Sequence, residues 1–155
     1  MRQFEPPPLP SGELGIADIE LDPTSRDDIP QLLRGLQYLY VNPTLRAKLF
    51  QILDEMIPPE VDRTTGRPGM ALWRILVLGV VRLNLNWDYD RLQEMANQHR
   101  TLRQMLGHGV EDTTPYQVQT LKDNVSLMTP EILDRINQVV VNAGHQVVKK
   151  KRLKA

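Results

Sequence analysis

Nineteen carboxylates, three histidines and no cysteine are the raw material for catalysis in this chain of 155 residues. The histidines are His99, His108 and His145. A zinc-protease helix needs two histidines one turn apart with a glutamate between them, and no pair here has that spacing. His108 lies close to Glu111 and Asp112 in a polar loop, "HGVEDTTPY". That trio could meet a cation, but it lacks the ligand spacing of zinc sites, and the expectation is a set of solvated loop side chains. No serine, histidine and aspartate stand at spacings that suggest a nucleophile with its base. The carboxylate pairs Asp27–Asp28, Asp88 with Asp90, and Glu111–Asp112 sit where helix caps and solvated loops place acids. The expectation is no catalytic set, no metal site, no cofactor and no small-molecule substrate.

The stretch "DRTTGRPGMALWRILVLG" carries a different chemistry. Its glycines lack the Walker spacing and the three-glycine dinucleotide spacing, so it is not a nucleotide cradle. A helix start with free N–H groups beside Arg63 and Arg67 nevertheless suits a DNA phosphate. The apolar run behind it, from Met70 to Leu85, is shorter than the ~20 residues a membrane span needs, and Arg74 and Arg82 interrupt it. It reads as a helix buried on all sides.

Further along, "YDRLQEMANQHRTLRQMLG" has the outline of a helix-turn-helix pair and carries Arg100 and Arg103. After it, "TPYQVQTLKDNV" opens a helix bearing Gln117, Gln119, Thr120, Lys122 and Asn124. Glutamine and asparagine match adenine edges, and lysine reaches guanine or phosphate. The same segment is also an amphipathic surface helix anchored by Val118, Leu121, Val125 and Leu127. The chain closes on a basic cluster, Lys149, Lys150, Lys151 and Arg152, followed by Lys154. These residues form the candidate DNA-contacting set.

The elements that must position these groups are all helical. Apolar spacing predicts a helix over "SRDDIPQLLRGLQYLY" with Leu32, Leu33, Leu36 and Leu39 or Tyr40 inward, capped by Ser25 or Asp28. A second starts at Asn42 with Pro43 in its first turn and buries Leu45, Leu49, Ile52, Leu53 and Met56. Asn86 or Asp88 caps the helix that buries Leu92, Met95 and Ala96. A short helix over about Arg100–Leu106 ends at Gly107. Thr129 caps the last helix, with Ile132, Leu133, Ile136, Val139 and Val140 inward. Trp73 and Trp87 are assigned to the core. No alternating strand pattern or fixed repeat is present. The expected fold is one compact all-α domain of six or seven helices over residues 25–148. A proline-rich acidic arm, 1–24, precedes it as an extended tether, and a basic tail, 149–155, follows.

Composition agrees with a globular chain: 41% hydrophobic and 25% charged. The net charge of zero conceals an asymmetry. Residues 1–30 hold Arg2 and Arg26 against Glu5, Glu13, Asp18, Glu20, Asp22, Asp27 and Asp28, whereas the last seven residues, KKKRLKA, are strongly basic. The start, "MRQFEPPPLP", lacks the apolar stretch of a signal peptide. A cytoplasmic location follows as an expectation.

The order of these segments resembles the N-terminal region of bacterial insertion-sequence transposases, most nearly the ISNCY type and more distantly the InsH type. The G-R-P loop, the long apolar helix, "NWDYDRL", "LRQMLG" and "TLKDN" carry the resemblance, which spans residues 25–148. It implies binding of double-stranded DNA at the terminal inverted repeats of a mobile element, with Arg63 and Arg67 at a phosphate. It also implies that an RNase H-like catalytic domain with divalent metal follows such a region. The chain stops at Ala155, so the part expected here is the one that binds DNA ends. Two other assignments compete: an oligomerisation or partner-binding module, in which two copies form a homodimer, and a small stand-alone helix-turn-helix regulator.

Overall fold

The computed structural model describes residues 4–7, 15–21, 28–56, 70–109, 111–139 and 141. Ser25, the loop at 57–69 with Arg63 and Arg67, Val140, and the tail with Lys149, Lys150, Lys151 and Arg152 lie outside them. Every regular element among the described residues is helical, so the fold is all-α. A 3-10 turn at Ile16–Asp18 precedes α1 (Asp28–Val41), α2 (Pro43–Met56), α3 (Leu72–Leu85), α4 (Tyr89–Gln98), α5 (Arg100–Met105) and α6 (Val118–Val125). A further helix, α7, covers 130–139.

Asn42 makes the turn between α1 and α2. Its Oδ1 accepts the N–H groups of Thr44 and Leu45, each at 3.1 Å, which otherwise lack partners at a helix start. Proline in the next position sacrifices no intrahelical hydrogen bond. The hairpin faces Leu33, Leu36 and Leu39 of α1 inward with Leu49, Ile52, Leu53 and Met56 of α2, as the spacing predicts.

Helix α3 runs through the middle, touching α1, α2, α4 and α6. Leu72, Trp73, Ile75, Leu76, Val77, Leu78, Val80 and Val81 are all buried. Each aliphatic side chain so buried contributes about 1.5–3 kcal/mol relative to leaving it exposed, and among the described helices α3 buries the most residues. Its two arginines escape by different routes. Arg74 Nε donates to the Leu106 carbonyl at 2.9 Å. Arg82 lies with Cζ 4.2 Å from the centre of the Tyr89 ring, while its buried Nε has no hydrogen-bond partner.

The helix ends as the residue chemistry requires. Asn86 adopts the left-handed conformation, φ 55°, and closes α3 through its N–H to the Arg82 carbonyl. Asp88 caps α4 by accepting from Arg91 N–H at 2.7 Å. Of the two residues the sequence offered for that cap, one therefore terminates the preceding helix. Trp73 is fully buried, its indole N–H donating to the Met105 carbonyl at 2.8 Å. Trp87 is only half-buried, so the core contains one tryptophan rather than the two assigned to it.

The proline-rich arm is more than a tether. Ile16 and Ile19 belong to the core. Gln37 Nε2 on α1 donates to the carbonyls of Ile16 at 2.9 Å and Ile19 at 2.8 Å. Phe4 packs against Trp73. Among the described residues of the segment, Ile16 and Ile19 are buried and Phe4 and Leu21 are half-buried against the core.

Gly79 is where α3 meets the chain after α6. A Cβ there would stand 2.6 Å from Met128 Cγ and 2.8 Å from Met128 Cβ. Alanine would gain up to about 1 kcal/mol of helix propensity and lose about 1–3 kcal/mol to overpacking. Gly79→Ala is expected to lower the unfolding free energy by roughly 1 kcal/mol, and Met128→Ala in the same chain to recover part of the loss. Urea unfolding of the single and double variants checks this; strictly additive losses would rule out the Gly79–Met128 contact.

Candidate functional site

The polar groups of the molecule converge on the loop between α5 and α6. His108 is buried, only 8% exposed. Its Nδ1 lies 2.8 Å from Asp112 Oδ2 and its Nε2 2.6 Å from the Tyr116 hydroxyl. The carboxylate can only accept, so Nδ1 carries the proton. Nε2 then accepts from the Tyr116 O–H, and the neutral imidazole satisfies both neighbours. Desolvation lowers the His108 pKa below its ordinary value, opposed by the hydrogen bond to Asp112. Asp112 is held well below the usual carboxylate range, first by that hydrogen bond and then by hydrogen bonds from Thr114. Burial pushes the Tyr116 phenol up to about 12.

Arg103 completes the cluster. Nη1 donates to the Ala96 carbonyl at 2.9 Å, and Nη2 to the carbonyls of Asp112 at 2.8 Å and Thr114 at 3.1 Å. The guanidinium thus ties the end of α4 to the loop. On the far side Asn97 binds the backbone of Tyr116 twice, accepting its N–H at 2.6 Å and donating to its carbonyl at 3.2 Å. Gln93 donates to the same carbonyl at 3.0 Å. These bonds hold the chain as it enters α6.

An Asp–His–Tyr chain has the connectivity of an acid–base relay, but burial opposes its use as one. Tyr116 is 8% exposed and its phenol is harder to ionise than usual. The adjoining cleft, about 270 Å³, is lined by Arg100, Arg103, His108 and Asp112 and not by the Tyr116 hydroxyl. The cluster locks a loop. Of the solvated trio expected from the sequence, Glu111 and Asp112 are exposed, whereas the His108 imidazole is an interior group. Among the described residues no three His, Asp or Glu side chains are grouped to hold a metal.

The predicted DNA-contacting residues divide. Arg100 is exposed at the rim of the cleft. Gln117, Gln119, Thr120 and Lys122 are exposed on or just before α6. Asn124 is half-buried; it donates to the Thr120 carbonyl at 2.8 Å, and its Oδ1 lies 3.4 Å from the Met70 N–H. Arg103 is committed to three carbonyls, as above. Beneath these residues Leu121 and Val125 anchor α6 in the core. Asp123 shares the exposed face, and its Oδ1 accepts from Gln119 Nε2 at 2.8 Å.

The helix pair suggested by the sequence is present, with α4 and α5 separated by His99 alone. The missed cluster had one visible signal: His108, Asp112 and Tyr116 recur at intervals of four in a segment too rich in threonine and proline for a helix. Comparison with protein-family models, curated proteins and solved structures finds no match to this chain. No helix among the described residues is long and apolar enough to cross a membrane.

The lock makes stability depend on pH. Below about 6.5 the unfolded histidine takes up a proton that the folded one resists. Stability is therefore constant above that value and falls as the pH drops toward the lowered folded pKa. Asp112 acts in the same direction: its contribution is present above about 3.8 and is lost on further acidification. Tyr116→Phe removes the donor to Nε2 and should cost about 1–3 kcal/mol. Denaturant midpoints from pH 7.5 to 4.5, with imidazole resonances followed by NMR, test the scheme; titration of His108 at or above the ordinary histidine value would refute it.

Proposed function

We propose that this chain binds double-stranded DNA in a sequence-dependent way, as the end-recognising region of an insertion-sequence transposase, with α6 as the reading helix. One observation carries the proposal. α6 is fixed by its buried face to α3 and α4 and offers Gln117, Gln119, Thr120 and Lys122 on its exposed side. A groove-reading helix needs this combination: rigid placement, and polar side chains able to meet base edges and phosphates. Arg100, on the neighbouring α5, adds an exposed cation suited to a phosphate. The segment order that resembles transposase N-terminal regions supplies the target class, terminal inverted repeats. Strand cleavage and transfer are no part of the proposal.

Asp123 gives the proposed interface a particular character. A carboxylate in the middle of the exposed face repels phosphate and can accept from cytosine N4. Together with a net charge of zero, it predicts weak affinity for arbitrary DNA and a higher dependence on sequence than a basic helix would show.

The proposal is tested by selecting duplexes from a random pool at physiological salt, then measuring anisotropy on the winner across a salt series. Lys122→Ala should weaken binding to all duplexes and reduce the salt slope by about one. Gln119→Ala should relax the preference at one base position, costing about 1–3 kcal/mol there. Asp123→Asn should raise affinity for unrelated DNA. Absence of any enriched sequence, with identical salt slopes for all three variants, would end the DNA-reading assignment.

A further inference from the structure

The residues Phe4–Pro7 lie in a groove beside the α1–α2 turn as a ligand would. The Phe4 ring stands edge-on to Phe50 at 5.5 Å and to Trp73 at 6.3 Å. Its carbonyl accepts the Trp73 N–H at 2.9 Å. That donor belongs to the first turn of α3, where Ala71 provides no side-chain cap. The Glu5 carboxylate forms an ion pair with the Arg46 guanidinium and accepts the Tyr40 hydroxyl at 3.1 Å. Arg46 itself lies over two rings, with Cζ 4.5 Å from the Tyr40 centroid and 5.4 Å from that of Phe4. Pro6 packs onto Gly107, where φ is +92° and a Cβ would come within 2.7 Å of the proline ring. Three consecutive positions thus supply an aromatic ring, a carboxylate and a proline to complementary partners.

The groove is larger than its occupant. About 530 Å³ remains beside Phe4, walled by Tyr40, Val41, Pro43, Ala47 and Phe50. With the segment seated, Val41 is still 48% exposed and Phe50 42%. Exposed apolar side chains gathered at one place mark an interaction surface.

We infer that Phe4–Pro7 is exchanged between two copies of this chain, each segment filling the groove of the other and the uncovered Val41–Phe50 walls meeting across a twofold axis. This goes beyond DNA binding and does not depend on it. Every contact of the segment described above is made to residue 40 or beyond, so none requires that segment and groove belong to one molecule. Seven residues separate Pro7 from Gly15, and an extended chain of that length spans roughly 25 Å. A second copy is the occupant with matching chemistry, since the groove calls for an aromatic residue, then an acid, then proline, and the chain carries that order itself. Exchange of an identical element is a low-cost route to a dimer because the contacts already exist within one copy.

A charge-reversal pair tests the inference on the full chain. Glu5→Arg and Arg46→Glu each break the ion pair, and mixing the two variants restores it at both exchanged sites, but only between different molecules. Sedimentation equilibrium is expected to show a dimer for the native chain and dimerisation at least about tenfold weaker for either variant alone. The equimolar mixture should recover a heterodimer, and the doubly reversed chain should dimerise like the native one. Phe4→Ala provides a second loss, with helical circular dichroism confirming that the body remains folded. A native chain that stays monomeric up to high concentration overturns the inference. So does a mixture that associates no better than its components, or a Phe4→Ala dimer as tight as the native one, which would place the interface or another occupant elsewhere.

Discussion

The fold depends on enclosing one helix that cannot face water. α3 buries residues on every side, so the other helices are arranged as its walls. α1 and α2 cover one part, α4 and α6 another. The polar groups that α3 carries inward each need an individual solution. The Trp73 indole N–H goes to the Met105 carbonyl and the Arg74 guanidinium to the next one, Leu106. These two bonds fasten α3 to the end of α5, and the lock around His108 begins two residues further on. The central apolar contact and the polar cluster are thus parts of one construction: burying the Trp73 and Arg74 side-chain N–H groups sends them to the Met105 and Leu106 carbonyls, and those bonds fix the start of the loop.

Much of this was legible in the residues. Continuous hydrophobicity between Met70 and Leu85, interrupted by two arginines, specifies a buried helix rather than a span. Asn42–Pro43 and Thr129–Pro130 announce helix starts because each stands at the head of an apolar-periodic run, where a side-chain acceptor followed by proline matches the N-cap and first helical positions. Leu33, Leu36 and Leu39 fall on one face by period alone. Asn86 and Asp88 were ambiguous, since asparagine serves equally well in a left-handed terminus and as an N-cap; only the position of α3's end decides.

What stayed hidden depends on long-range partners. His108, Asp112 and Tyr116 look like solvated loop residues, because the groups that hold their segment, Gln93, Asn97 and Arg103, are contributed by other helices. Arg103 looks like a free cation for the same reason: nothing in its local sequence indicates three carbonyl acceptors. The proline-rich start suggests a tether by composition, and a single phenylalanine gives little sign of its fit against Phe50 and Trp73. Periodicity detects a face that repeats, whereas a lone anchor has no period.

His99 ends α4 and begins α5 in the same residue. Its N–H closes the first helix on Met95, and its Nδ1 accepts from Leu102 N–H to open the second. A connection of several residues would let two helices vary their angle by sharing small torsional changes. Here one residue carries the whole change of direction, so the angle between α4 and α5 rests on the torsions of His99 and on the two hydrogen bonds it makes. His99 itself is extended, with φ -78° and ψ 111°, so a residue added at this joint would change both the direction and the register of α5 relative to α4. The joint at Asn42 between α1 and α2 is equally short, so an insertion at either place has no neighbouring loop to absorb it.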